Sequence, residues 1–213
     1  QAQAAAAAAQ IAPVIATARN LATADELQAL AKENPGQLRL MQLDVKEERS
    51  IDALADALGS TPIDLLINNA GVLHVETIAN MDFARILEQF RVNALGTLQV
   101  TYTLLGNLGS GSRVVNITSR MGSLDDNTSG GYYGYRMSYA AQNMATRSLA
   151  VDCKSRGVTV VAMHPGMVQT DMTRGFGMLT AAESVAGMNE VIAGLSLDQT
   201  GLFLHYQGTT LPW

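Results

Sequence analysis

"IDLLINNAG", residues 63–71, decides how the rest of the chain is read. Its apolar run, Leu65-Leu66-Ile67, is too short for a helix and ends in Asn-Asn-Ala-Gly, so it reads as a buried strand running into a turn. The same alternation extends in both directions. Before it lie "PVIATA" (13–18), a strand, and "TADELQALAKENPG" (23–36), a helix with Thr23 as cap and Pro35-Gly36 as stop. A strand "LRLMQLDV" (38–45) and a helix "EERSIDALADALG" (47–59) follow. After it come a long helix over 83–105, a strand "RVVNITS" (113–119), a helix over 134–155 and a strand "VTVVAMHPG" (158–166). A helix over 181–195 and a last strand "GLFLHY" (201–206) complete the series. Strands alternating with helices predict an α/β fold: a doubly wound parallel sheet with helices on both faces. Such sheets bind ligands beyond the carboxyl ends of their strands.

Bulk properties narrow the function. With 213 residues, no internal repeat and no linker, the chain is expected to form a single domain, 1–213. Hydrophobic residues at 47% against 15% charged allow a large core and argue against disorder. The net charge of -5 leaves no basic stripe to neutralise phosphates, so no nucleic-acid partner is expected. The lone cysteine, Cys153, cannot form an internal disulfide, and a reducing, cytoplasmic setting is expected. No apolar run approaches the roughly 20 residues that span a bilayer, so no membrane partner is expected. Three histidines far apart in sequence show no metal-ligand spacing. The opening "QAQAAAAAAQ" (1–10) is either an alanine-driven helix or a stretch in which alanine stands in for other side chains; the ordinary composition elsewhere favours the second.

The polar residues placed at strand ends are Asp44, Asn68, Asn69, Ser119, His164 and Thr170. Asn68-Asn69-Ala70-Gly71 ends a strand where small residues let backbone approach a flat ligand, though an Asn-Gly-type turn would need no ligand. Ser119 could orient a substrate oxygen or simply cap a turn. Tyr135 opens a helix, where the dipole favours a phenolate and a general acid could stand. Four residues on, Tyr139 shares its helical face. Met121, Met167 and Met172 fall near the mouth of such a site, and Trp213 is expected to be packed.

In order, "NNAG", Asn93 in "VNALGTL", "VVNITS", "YRMS" and "HPGMVQT" resemble the short-chain dehydrogenase/reductase family, from about residue 13 to the end. The long loop between Ser119 and Tyr135 and the ending "YQGTTLPW" resemble its C-factor and sniffer-like carbonyl reductases. The resemblance implies a Rossmann-type fold and a catalytic set of Asn93, Ser119 and Tyr135, holding a water, the substrate oxygen and the acid/base proton respectively. It implies cofactor contacts from Asp44 to the adenine amine, from Asn69, Ala70 and Gly71 on the adenine-ribose side, and from Pro165, Gly166, Val168 and Thr170 to the nicotinamide. An acidic residue that would select NAD is replaced by Ala18, followed by Arg19, which suits a 2′-phosphate; NADP is the expected cofactor, with NAD as the other option. A small carbonyl or alcohol substrate and a homodimer or homotetramer are implied too, paired through the long helices with Ala94, Leu98, Ala141, Met144, Ala145 and Leu149.

Two departures from the family pattern stand out. The Thr-Gly-x-x-x-Gly-x-Gly turn is absent from these residues, so an amino-terminally incomplete domain lacking its first strand and glycine-rich loop is expected. The family's lysine is Tyr139, which can offer a hydrogen bond but no fixed positive charge. The residues therefore leave two functions open: an NADP-preferring oxidoreductase, or a catalytically impaired C-factor-like protein with a binding or signalling role.

Overall fold

A computed structural model describes residues 13–213, so the reading of 1–10 lies outside the described residues. The chain divides into two compact units, Gln1–Gly59 and Ser60–Trp213.

In the first unit, β1 (Val14–Ala18) pairs in parallel with β2 (Leu38–Gln42), in the register Val14–Leu38 to Ala18–Gln42. The crossover carries α1 (Asp25–Glu33), and α2 (Glu48–Leu58) follows β2. Helix α2 is amphipathic, burying Ile51, Leu54 and Leu58 at the i, i+3, i+7 positions the sequence spacing predicts. Strand β2 is shorter than the 38–45 expected: Asp44 turns the chain and its carboxylate accepts from Lys46 N at 2.9 Å.

The second unit holds a four-stranded parallel sheet in the order β3 (Leu65–Asn68), β4 (Arg113–Ile117), β5 (Thr159–His164), β6 (Phe203–His205). Alternation along its strands sorts the core into two layers. Val115, Ile117, Val161 and Met163 point to one face and pack with Leu204 and with Ile192 of α6 (Ala181–Ala193). Val114 and Val160 point to the other and meet Ala150 and Cys153 of α5 (Tyr133–Lys154). Helix α6 begins with a capping box, Thr180 and Glu183 each bonding the other's backbone.

The long helix expected over 83–105 is present but not uniform. α3 (Phe83–Gln89) and α4 (Thr97–Thr103) are joined by a π-helical segment, Phe90–Gly96. Such wide turns interrupt α-helices most often at functional positions.

Candidate active site

Three strand ends of the second unit build the site. Strand β4 runs through Thr118 to Ser119, whose hydroxyl caps the short turn Arg120–Gly122 by accepting from Met121 N at 3.2 Å. Across from it, α5 presents Tyr135, 9% exposed, and one turn later Tyr139, 5% exposed. Their rings meet edge to face, centroids 4.7 Å apart. Burial pushes the Tyr135 phenol above its ordinary pKa, while hydrogen bonds with the Ser119 and Tyr139 hydroxyls pull it back down. Tyr139 is pushed up much further, first by burial, then by the charge and hydrogen bond of Tyr135. Tyr139 is thus a neutral phenol throughout the physiological range.

Why glycine stands at 71 is now visible. A Cβ there would lie 2.6 Å from Tyr139 Oη and 3.5 Å from Asn93 Oδ1, so the loop after β3 can pass the phenol only without a side chain. The loop is held there by Asn93, which is fully buried in the π-helical segment. Its carboxamide accepts from Val72 N at 2.8 Å and donates to Val72 O at 3.0 Å and to Ser138 Oγ at 2.9 Å. Ser138 in turn donates to Tyr135 O at 2.9 Å. Asn93 therefore ties the end of β3 to the turn of α5 that carries Tyr135. Ser138 was not singled out in the sequence; its i+3 spacing from Tyr135 was the available signal.

The other expected residues divide. Asn69 and Ala70 are exposed at the end of β3. Asn68 is not: it is buried and donates to Thr101 Oγ1 at 3.0 Å and Asn116 Oδ1 at 2.8 Å. Asn116 continues the row to Thr146 Oγ1 at 2.9 Å, so Asn68 belongs to a buried polar row across the sheet. After β5, Pro165 accepts from Ser184 Oγ and Gly166 turns with φ +84° against Leu179 and Tyr206. Val168 bridges Leu179, and Thr170 is exposed, its N–H donating to Thr173 Oγ1 at 3.0 Å. His164, just before this turn, is pushed down to about 4 by burial and by neighbouring His205. His74 hydrogen-bonds Glu88 Oε2 at 3.2 Å. Trp213 packs on Phe203 with centroids 5.3 Å apart, under the Arg147 guanidinium at 5.9 Å. Its carbonyl accepts from Leu124 N and Ser123 Oγ, so it braces the loop that follows Ser119.

In the first unit, Arg19 is exposed just beyond β1, and Asp44 lies two residues beyond β2 with its carboxylate turned to its own loop. Among the described residues no three His, Cys, Asp or Glu side chains group as metal ligands, and no helix is long and apolar enough to cross a membrane.

The site can do proton chemistry at an oxygen: two hydroxyls, Ser119 and Tyr135, converge, and a third, the phenol of Tyr139, backs them. Its bare, glycine-bearing edges at Gly71 and Gly166 suit a flat ring. Comparison with known proteins points the same way. The family model for short chain dehydrogenases matches residues 1–178. The C-signal protein of Myxococcus xanthus is 48% identical over 164 residues, covering 76% of this chain and 99% of that one. The NADPH-bound carbonyl reductase from chicken fatty liver superposes with a TM-score of 0.87 at 33% identity, covering 94% of this chain and 88% of that chain. Carbonyl reductase Sniffer of Drosophila melanogaster gives a TM-score of 0.88 at 29% identity over the same shares, 94% and 88%.

Proposed function

The chain belongs to the short-chain dehydrogenase family of oxidoreductases, and on that premise we propose that it transfers hydride between NADP and a small carbonyl or alcohol substrate. The observation that carries this reading is the hydrogen-bonded group of Ser119, Tyr135 and Tyr139 beside Gly71. A bound nicotinamide would supply or accept the hydride. Pro165, Gly166, Val168 and Thr170 would hold that nicotinamide, and Asn69, Ala70 and Gly71 would flank the cofactor's adenine-ribose side. Within the first unit, the exposed guanidinium of Arg19 and the lack of an acid at Ala18 favour NADP over NAD.

In the reductive direction Ser119 would donate to the substrate carbonyl and Tyr135 would deliver a proton to the same oxygen. Tyr139 would donate to the tyrosinate left behind, stabilising it less than a cation would. The Asn93 side chain is committed to Val72 and Ser138, so a water in the proton path would rest on its main chain. Tyr135→Phe should abolish carbonyl-dependent NADPH oxidation; unchanged turnover would remove Tyr135 from the mechanism.

A second reading rests on Tyr139. With a buried neutral phenol in place of a cation, the protein would bind the nucleotide and turn over little, serving as a binding or signalling protein. NADPH binding by fluorescence, paired with an aldehyde panel, separates the two: brisk turnover of any aldehyde ends the silent reading.

Either form is expected to be a homodimer or homotetramer. Large apolar side chains stand exposed along the long helix, among them Phe83, Leu87 and Tyr102, and along α5, among them Met144 and Val151. Ala94, in contrast, is buried within the protomer. A monomer mass by light scattering at micromolar concentration would contradict assembly.

A further inference from the structure

Glu76, in the loop between β3 and α3, is a carboxylate only 1% exposed. Neither of its partners is a cation. Its Oε1 accepts from Gln89 Nε2 at 2.7 Å, and its Oε2 accepts from Gly134 N at 3.1 Å. Its own carbonyl accepts from Tyr132 N at 2.8 Å. The last two fall at the start of α5, on its first turn and on its N-cap, next to Tyr135.

That turn needs holding. Gly130, Gly131 and Tyr132 are three successive left-handed residues, with φ of 64°, 64° and 52°. Tyr132 lacks glycine's freedom and keeps this conformation only because its surroundings fix it. Gly134 is wedged so that a Cβ would lie 2.3 Å from Gln89 Nε2 and 2.9 Å from Ile86 Cα. The first-turn N–H groups of a helix have no partner within it, and a carboxylate is the strongest acceptor available for one.

We propose that Glu76 is a positioning residue: its buried carboxylate, clamped between Gln89 and Gly134 N, sets the register in which α5 presents Tyr135 to Ser119. This rests on the reading of Tyr135 as the acid/base. A carboxylate is required for a stated reason. Both partners are donors, and the Oε1 of Gln89 already accepts from His74 N at 2.9 Å. A glutamine at 76 would turn its own NH2 onto one of the two donors, whichever way it faces. Exchanging the two residues removes the conflict. In E76Q/Q89E, the new carboxylate at 89 would accept from His74 N and from the amide at 76, whose oxygen would accept from Gly134 N.

The test compares wild type, E76Q and E76Q/Q89E in the full chain. Tyr135 ionisation is followed by ultraviolet absorbance, as the difference from Tyr135→Phe, and turnover is followed with NADPH and an aldehyde. E76Q should move Tyr135 ionisation to higher pH as its bond to Ser119 loosens. It should lower kcat by about tenfold or more, with the KM for NADPH within about twofold. The exchange variant should restore both. Gln89→Met, which removes one donor and keeps the other, should shift the ionisation the same way by less, and it serves if E76Q does not fold. An unmoved ionisation in the folded single variants, or an exchange variant that restores nothing, overturns the proposal. If wild type turns over no carbonyl compound the reductase reading fails, and the absorbance titration still decides Glu76.

Discussion

Replacing Tyr139 by lysine is the sharpest probe of the site. At an effective dielectric of about 20, unit charges at the 4.7 Å separation of the two rings would attract by about 3.5 kcal/mol. An attraction of that size would draw the Tyr135 phenol's pKa down. Part is offset, because the ammonium would be desolvated at a position 5% exposed, and part because the hydrogen bond from the Tyr139 phenol is lost. A net gain of about 1.4 to 2.8 kcal/mol remains, ten- to a hundredfold in rate. Lysine has no ring to crowd Gly71, so the loop after β3 should keep its path. The assay is aldehyde-dependent loss of NADPH absorbance across a range of pH. Activity should rise, and its pH midpoint should fall, because Tyr135 would ionise more readily. A folded, NADPH-binding variant with neither change would mean that Tyr135 is not the acid/base.

Acid should weaken the fold through His164. Its folded pKa of about 4 lies below the ordinary 6.5 of histidine, so the unfolded chain takes the proton first. Its contribution, intact above pH 6.5, should fall by about 3 kcal/mol as pH drops through 4, and His164→Asn should flatten urea-unfolding free energies across that window. Gly134→Ala should cost about 1–3 kcal/mol by driving a methyl group against Gln89 Nε2, 2.3 Å away, read as a lower thermal midpoint.

How much could be read in advance followed from whether the signal was local. Strands β4 and β5 were legible because buried parallel strands are rich in β-branched apolar residues, as Val114-Val115 and Val160-Val161-Ala162-Met163 are. Tyr135 and Tyr139 were legible as a pair because a helix forces i and i+4 onto one face. Asn68 misled: a polar residue at a strand end was read as facing the site, whereas its side chain points inward to a buried row of Thr101 and Asn116. Nothing local announced Glu76, whose partners lie 13 and 58 residues away in sequence. The π-helical segment was equally silent, since a wider turn leaves no mark on composition.

That segment also has a bearing on insertions and deletions. A π turn is an α-helix with a residue to spare. Removing a single residue from Phe90–Gly96 would let the long helix close as ordinary α-helix, an outcome the backbone tolerates well. The helix on either side would keep its facing while residues within the segment turn about the axis, and the Asn93 carboxamide would leave Val72 and Ser138 unpaired. A one-codon loss here would therefore spare the architecture and disable the chemistry, so in this helix, residue count by itself separates an oxidoreductase from a scaffold.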